Sequence, residues 1–344
     1  MKPEILPILK CPRCSAALDL ASFEEDGREV RRGRLSCAGR EAHQYDIEDG
    51  IIRFTAGFDH EAVRKELEYE NSTYSGSERL TDPRIIGQFP ETLPELWPHT
   101  CHFGPDFTAL MERMDLRPGA WVLDVGTGPC WSTRLLAQRG CRAVAIDVNE
   151  ANFYGLKTSD ILFEAHGVYF ERILESMTHL PFRDGTIDRI TFNASFHHTP
   201  DMDQTLRECF RILKPGGMIG MVNEEFASLR QRFFGAENVS DTGSHHTIFY
   251  RDLERSLQRA GFSFEYQVAE HVRRQLARRL SKGLGKVVVK VMEAFPLSLK
   301  QLNSAVVLLR KPSANVTNHR SNAVSRAAEK PARLVAISDE QTVS

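Results

Sequence analysis

Apolar residues recur along this chain with two periods, and their order predicts the fold. Trp121-Val122-Leu123-Asp124-Val125 is a short apolar run closed by Gly126-Thr127-Gly128, which predicts a buried strand, a tight turn and a helix start. Arg142–Asp147, Tyr169–Leu174, Arg189–Phe192 and Met218–Val222 repeat the strand pattern. Helical spacing falls between them. Leu206, Phe210 and Leu213 share one face of a helix that Pro215-Gly216-Gly217 stops. Strand and helix in alternation predict a parallel sheet with helices on both faces, an α/β doubly wound architecture. Tyr250–Ala260 adds a helix closed by Gly261, with Leu253 and Leu257 one turn apart. Phe264–Val268 and Ala305–Leu309 would complete the sheet as an antiparallel pair.

On either side of residues 120–312 the patterning weakens. Residues 1–56 hold short strand-like pieces, Leu18-Asp19-Leu20 and Arg34-Leu35-Ser36, around a charged loop. A segment of that size has little core of its own and usually needs a metal or another staple. Residues 57–119 form a linker with entry helices. Glu61–Glu70 suits an amphipathic helix, and Phe107–Met114 a second one stopped by Arg117-Pro118-Gly119. Between them Pro83, Pro90, Pro94, Pro98 and Pro105 interleave with Phe89, Trp97 and Phe103. That stretch is either a lid over the strand ends or a packed connector. Residues 313–344 are small and polar, as in a disordered tail.

One later stretch, 272–291, is basic on one side. Arg273, Arg274, Arg278, Arg279, Lys282, Lys286 and Lys290 face away from Leu276, Leu280, Leu284, Val287, Val288 and Val291. Such a helix docks its apolar stripe on the domain, or makes a peripheral contact with an anionic membrane.

The bulk numbers narrow the class. The chain has 344 residues, 41% hydrophobic and 26% charged, as in a soluble globular protein of about two domains. Its net charge of −2 supplies no basic field to recruit nucleic acid. No apolar run is long enough to cross a bilayer. Met1-Lys2-Pro3-Glu4 does not lead into an apolar export core, so a cytoplasmic location is expected. Seven cysteines, an odd number, fit reduced thiols better than a disulfide framework.

Two groups of residues carry candidate chemistry. Cys11-Pro12-Arg13-Cys14 is a C-x2-C knuckle followed by Cys37 and His43, a donor set and spacing that suit a structural Zn2+. At the end of the first strand, Gly126 and Gly128 allow a tight turn and close approach of backbone to a ligand. Asp147 ends the second strand 19 residues after Gly128 and can accept from both ribose hydroxyls of a nucleotide. A dinucleotide fold wants a small residue where Trp131 stands, so the bulky side chain argues for a different nucleoside cofactor.

The motif Asp124-x-Gly126-x-Gly128 resembles that of the class I S-adenosylmethionine-dependent methyltransferases of the type 11 domain. Leu180-Pro181-Phe182, Gly185-Thr186-Ile187-Asp188 and Leu213-Lys214-Pro215-Gly216-Gly217 extend the resemblance across residues 120–222. It implies a Rossmann-like seven-stranded sheet and S-adenosyl-L-methionine as cofactor. It implies cofactor contacts at Asp124, Gly126, Thr127, Gly128, Asp147, Val148, Ser176, Met177 and Asn193. His197, after the fourth strand, is the candidate general base. Where the family has an acid on adenine, this chain has Ser176, with Glu175 beside it.

The N-terminal segment resembles the zinc ribbon of ribosomal RNA guanine methyltransferases and the small zinc-binding activator subunits of other methyltransferases. Leu9, Cys11-Pro12-x-Cys14, Leu18, Cys37 and His43–Ile51 carry that likeness. The implied ligands are Cys11, Cys14, Cys37 and His43. Nine Lys/Arg against ten Asp/Glu in residues 1–56 leave this segment without a basic surface for phosphates. The near-neutral net charge and the amphipathic 272–291 stretch lead to the expectation of a small-molecule or lipid/glycan-type acceptor, methylated at N or O. RNA docking through the ribbon, or a non-catalytic module that binds cofactor and a partner, are the alternatives.

Overall fold

The central strand, β5 (Trp121–Val125), has parallel neighbours on both sides and helices over both faces, so nearly all of its side chains are buried. The computed structural model describes residues 1–61, 63–65, 67–68, 82–227, 248–280, 282–294 and 305–313. The rest of the expected Glu61–Glu70 helix, and the tail from residue 314 onward, lie outside the described residues.

From β5 the chain runs through α2 (Trp131–Gln138) to β6 (Arg142–Asp147), then α3 (Ser159–His166) to β7 (Glu171–Leu174). It then crosses to the other side of β5 as β8 (Ile187–Asn193), α4 (Met202–Ile212) and β9 (Leu213–Val222). A small parallel pair, β10 (Phe226–Ala227) and β11 (Ile248–Phe249), precedes α5 (Tyr250–Ala260). β13 (Ala305–Arg310) closes the sheet, pairing antiparallel with β9 on one side and with β12 (Ser263–Val268) on the other. The order β7-β6-β5-β8-β9-β13-β12 is the expected seven-stranded, doubly wound core.

Alternate residues of each strand feed two apolar layers. Val122, Ala143 and Ala145 pack under α2, α3 and α1 (Phe103–Arg113), with Phe107, Leu110, Leu136 and Leu162. Leu123, Val125, Val144 and Ile146 pack under α4 and α5, with Leu206, Ile212, Leu253 and Leu257. Burial on both faces is what makes these strands read as continuous apolar runs.

Residues 1–56 continue this sheet. β1 (Leu18–Glu25), β2 (Val30–Cys37), β3 (Gln44–Glu48) and β4 (Ile51–Arg53) form an antiparallel ribbon, and β4 pairs parallel with β7. One sheet of eleven strands results. Ile5, Leu9, Leu35, Ile47 and Ile52 share the apolar layer of Phe182 and Ile190. The seam also holds a buried charge network. The fully buried Arg172 side chain donates to both oxygens of Glu29, and to Asp160 and Ser159 at 3.0 Å. Burial pushes the Glu29 carboxyl up, but Arg172 outweighs it and holds the group down at about 2.

The basic stretch departs from expectation. It forms two helices, α6 (Glu270–Arg279) and α7 (Lys282–Ala294), because Leu280 turns to an extended conformation between them. The break re-phases the second helix. Val288, Val289 and Met292 dock on the domain, while Leu284, Val287 and Val291 are 51–56% exposed. No helix among the described residues is long and apolar enough to cross a membrane.

Candidate active site

The order in which strands are added reverses between β5 and β8, and in open α/β sheets a ligand crevice forms beyond the strand ends at such a point. A cavity of about 390 Å³ lies there. Its floor is the turn from β5 to α2. Gly126 and Gly128 both take positive φ, and a Cβ on Gly126 would sit 2.6 Å from that of Ser195, so the turn is closed to other residues. Asp147 holds the turn from the side. Its Oδ2 accepts from the Gly128 N–H and its Oδ1 from the Asn149 N–H, both at 2.8 Å.

The nine residues expected to contact a cofactor fall in two groups. Gly126, Thr127, Gly128, Asp147, Val148, Ser176, Met177 and Asn193 line the cavity. Asp124 does not. It is buried beneath the turn, where Ser132, Thr133 and Thr191 donate to it at 2.6–2.7 Å. Burial raises its pKa against those hydroxyl bonds. Asp124 thus braces the turn from below.

Glu175 sits at the adjoining wall. It accepts from the backbone N–H groups of Ala56, Gly57 and Ser176 at 2.7–3.0 Å, so it clamps the connection from the N-terminal strands onto the cavity. Burial pushes its carboxyl up to about 7 against these bonds. Next to it Ser176 Oγ and Thr178 Oγ1 lie 2.8 Å apart, and Thr178 Oγ1 meets His179 Nδ1 at 3.1 Å.

His197 does not line the cavity; His198 and His179 do. The loop after β8 is wrapped around Glu224, which accepts from the N–H groups of Ser195, Phe196 and His197 and lies 2.9 Å from His197 Nδ1. Burial pushes the Glu224 carboxyl up, but His197 and the backbone donors outweigh it and keep it below its usual range. His197 is therefore turned inward as part of the loop's anchor, and its sequence neighbour faces the cavity.

The outer walls are aromatic. Leu93, Trp97 and Phe103 from the proline-rich stretch meet Trp131 and Tyr154, with Trp97 and Tyr154 edge to face at 5.8 Å. Asn223 links the wall to the floor, reaching Asn193 Oδ1 at 2.8 Å and the Phe103 carbonyl at 3.5 Å. Among the described residues no lysine or arginine lines the cavity, whereas Asp59, Asp147, Glu175 and Asp201 do.

A second site lies in the ribbon. Cys11, Cys14, Cys37 and His43 bring one donor atom each to within 4.8 Å of one another. Cys14 and Cys37 sulfurs are 3.1 Å apart, and Cys11 Sγ is 3.5 Å from His43 Nδ1. The Gly39 N–H points at Cys37 Sγ at 3.1 Å, as expected of a knuckle that neutralises thiolate charge. Three sulfurs and one imidazole in this closed arrangement fit a four-coordinate structural cation.

Comparison with known proteins follows the same outline. Residues 123–221, from β5 through β9, match the family model described as a methyltransferase domain. The chain is 29% identical over 206 residues to the sarcosine/dimethylglycine N-methyltransferase of Halorhodospira halochloris, covering 53% of this chain and 71% of that protein. It is 30% identical over 161 residues to the ubiquinone biosynthesis O-methyltransferase of Xanthomonas oryzae pv. oryzae, covering 44% of this chain and 62% of that one. Among solved structures, Haemonchus contortus phosphoethanolamine N-methyltransferase 2 in complex with S-adenosyl-L-methionine aligns over 72% of this chain and 60% of its own, with 15% identity and a TM-score of 0.46.

Proposed function

Because this chain carries a class I S-adenosylmethionine-dependent methyltransferase domain, we propose that it transfers a methyl group to a nucleophilic N or O of a small-molecule or lipid-linked acceptor. The observation that carries this reading is the cavity's composition among the described residues, with aromatic walls and acidic groups but no lysine or arginine. Phosphate-rich acceptors such as RNA need a basic surface, and an apolar or amine-bearing small molecule does not. The named relatives point the same way, being a sarcosine/dimethylglycine N-methyltransferase and a ubiquinone biosynthesis O-methyltransferase.

S-adenosylmethionine, when bound, supplies an electrophilic methyl group on its sulfonium. The chain's own residues do the rest. The Gly126–Gly128 turn, free of Cβ atoms at both glycines, gives room for close approach of backbone. The Asp147 carboxylate takes the ribose hydroxyls, and Val148, Ser176 and Met177 flank the base. Asn193, fixed by Asn223, faces the transfer point. Trp97, Phe103, Trp131 and Tyr154 hold the acceptor and exclude water, so that orientation supplies much of the rate. The acceptor's proton leaves with transfer, and His198 and His179 are the imidazoles that line the cavity. His197 acts through the loop it anchors.

The cysteine-rich site would hold Zn2+ as a structural ion that ties β1, β2 and β3 together. A lipid-linked acceptor gains support from α7, where exposed Val287 and Val291 stand beside Lys286 and Lys290, a surface suited to an anionic bilayer.

Incubating the chain with methyl-labelled cofactor and separated cell fractions tests this. Label in a small-molecule or lipid fraction is expected. Label confined to RNA would overturn the acceptor class, and cofactor binding without transfer to any fraction would favour a non-catalytic module.

A further inference from the structure

A third cluster of donor groups lies outside both sites. His102 immediately precedes α1, and Asp106 follows one turn later on the same helical face. His271, in the first turn of α6, reaches across to them. The three residues bring one donor atom each to within 4.8 Å of one another. Asp106 is buried and accepts from the His271 backbone N–H at 2.8 Å, with its other oxygen 2.5 Å from His271 Nδ1. The His102 and His271 rings lie 4.5 Å apart at a tilt of 48°.

We propose that His102, Asp106 and His271 form a second site for a divalent first-row cation, beside the acceptor wall of the cavity. Two imidazoles and one carboxylate on one face, with positions left open to water, form a donor set that such cations accept. A cation about 2.1 Å from each donor holds donor pairs about 3–4.2 Å apart, so the far pairs close and the 2.5 Å Asp106–His271 pair opens by movements under about 1 Å. His102 is free to make that movement because it is half-exposed and sits where helix begins.

The two metal sites differ in chemistry. The ribbon's three thiolates make a closed site, whereas this one has only N and O donors and is open. Thr100 and Phe103, on either side of the segment that carries His102, line the cavity. An ion here would therefore fix the start of α1 against α6 and stiffen the wall that meets the acceptor.

The test uses the full chain with its ribbon filled with zinc, passed over a chelating resin and titrated with Co2+. One further Co2+ per chain is expected, with weak d–d absorption and no thiolate charge-transfer band. His102→Gln keeps the Asp106–His271 pair, so the fold should be retained while Co2+ affinity falls about tenfold or more, in line with loss of a metal-shell residue. Zn2+ should raise the melting temperature of the zinc-filled wild type and not that of H102Q. Equal Co2+ affinity in wild type and H102Q would overturn the proposal. So would the absence of any Co2+ binding beyond the ribbon's equivalent at millimolar concentration. A thiolate band in the spectrum reports on the ribbon alone, so failure there is read separately.

Discussion

Replacing Asp147 by alanine should weaken S-adenosylmethionine binding by about 30- to 1000-fold. The carboxylate accepts from Gly128 N–H and Asn149 N–H at 2.8 Å each. The ribose hydroxyls of a nucleoside in the cavity would donate to the same group. A hydrogen bond to a charged partner contributes about 1.5–3 kcal/mol, so two sum to about 3–6 kcal/mol. Water entering the space recovers part, which leaves about 2–4 kcal/mol, and each 1.4 kcal/mol is a factor of ten. Calorimetric titration of cofactor into wild type and D147A reads this directly. Asp147→Asn keeps the shape and one acceptor oxygen, and should lose about tenfold, the equivalent of one weakened bond. Affinity within threefold of wild type in D147A, with an unchanged melting temperature, would refute the assignment of this carboxylate to the ribose.

Glu29→Ala leaves Arg172 buried without its main partner and should destabilise the chain by about 3–5 kcal/mol in urea unfolding. The Glu29 carboxyl is depressed to about 2, so its contribution is fully present above the unfolded value near 4.5. The gap between wild type and E29A should therefore close as pH falls from about 5 towards 2; a gap independent of pH would exclude the ion pair as its source. Glu175 has the opposite sign, since burial raises it to about 7. Its proton binding favours the folded state increasingly as pH falls from about 8 to about 4.5, so wild type should gain stability over that range relative to Glu175→Gln. A flat difference between the two would contradict a buried, raised carboxyl. Stripping metal from the ribbon should lower the melting temperature of the whole chain in one transition, because the ribbon shares the central sheet; calorimetry showing a separate minor transition for residues 1–56 would argue otherwise.

The parallel strands were legible because burial on both faces leaves an unbroken apolar run and little else does. The cavity floor was legible because tight turns demand glycine, and Asp147 because an acid at that strand end has few other uses. Asp124 shows the limit. Its place before the glycines suggested a ligand contact, yet Thr127, Ser132 and Thr133 follow within nine residues, and their hydroxyls turn inward to it. Cys130, just before α2, takes the left-handed conformation (φ 59°) that glycine would take more easily, which its residue type did not announce. His197 and His198 could not be told apart along the chain, since the group that separates them, Glu224, comes 27 residues after His197. The aromatic wall was half legible, as lid or connector; only the packing of Trp97 on Tyr154 decides that it faces the cavity. Nothing local announced the pairing of β4 with β7, where Ile52 and Ile173 are partners. The phase of 282–294 was lost for a related reason, since one extended residue, Leu280, resets the helix.

The join between β4 and β7 bears on how the chain can be cut. Ile51, Ile52 and Arg53 satisfy one side of β7 opposite Arg172, Ile173 and Leu174. A fragment beginning at residue 57 would strip that side bare and present a row of unclaimed amide and carbonyl groups flanked by apolar side chains. Such an exposed margin is a template for recruiting other chains, so the shortened protein should precipitate or self-associate even though every cavity residue is still encoded.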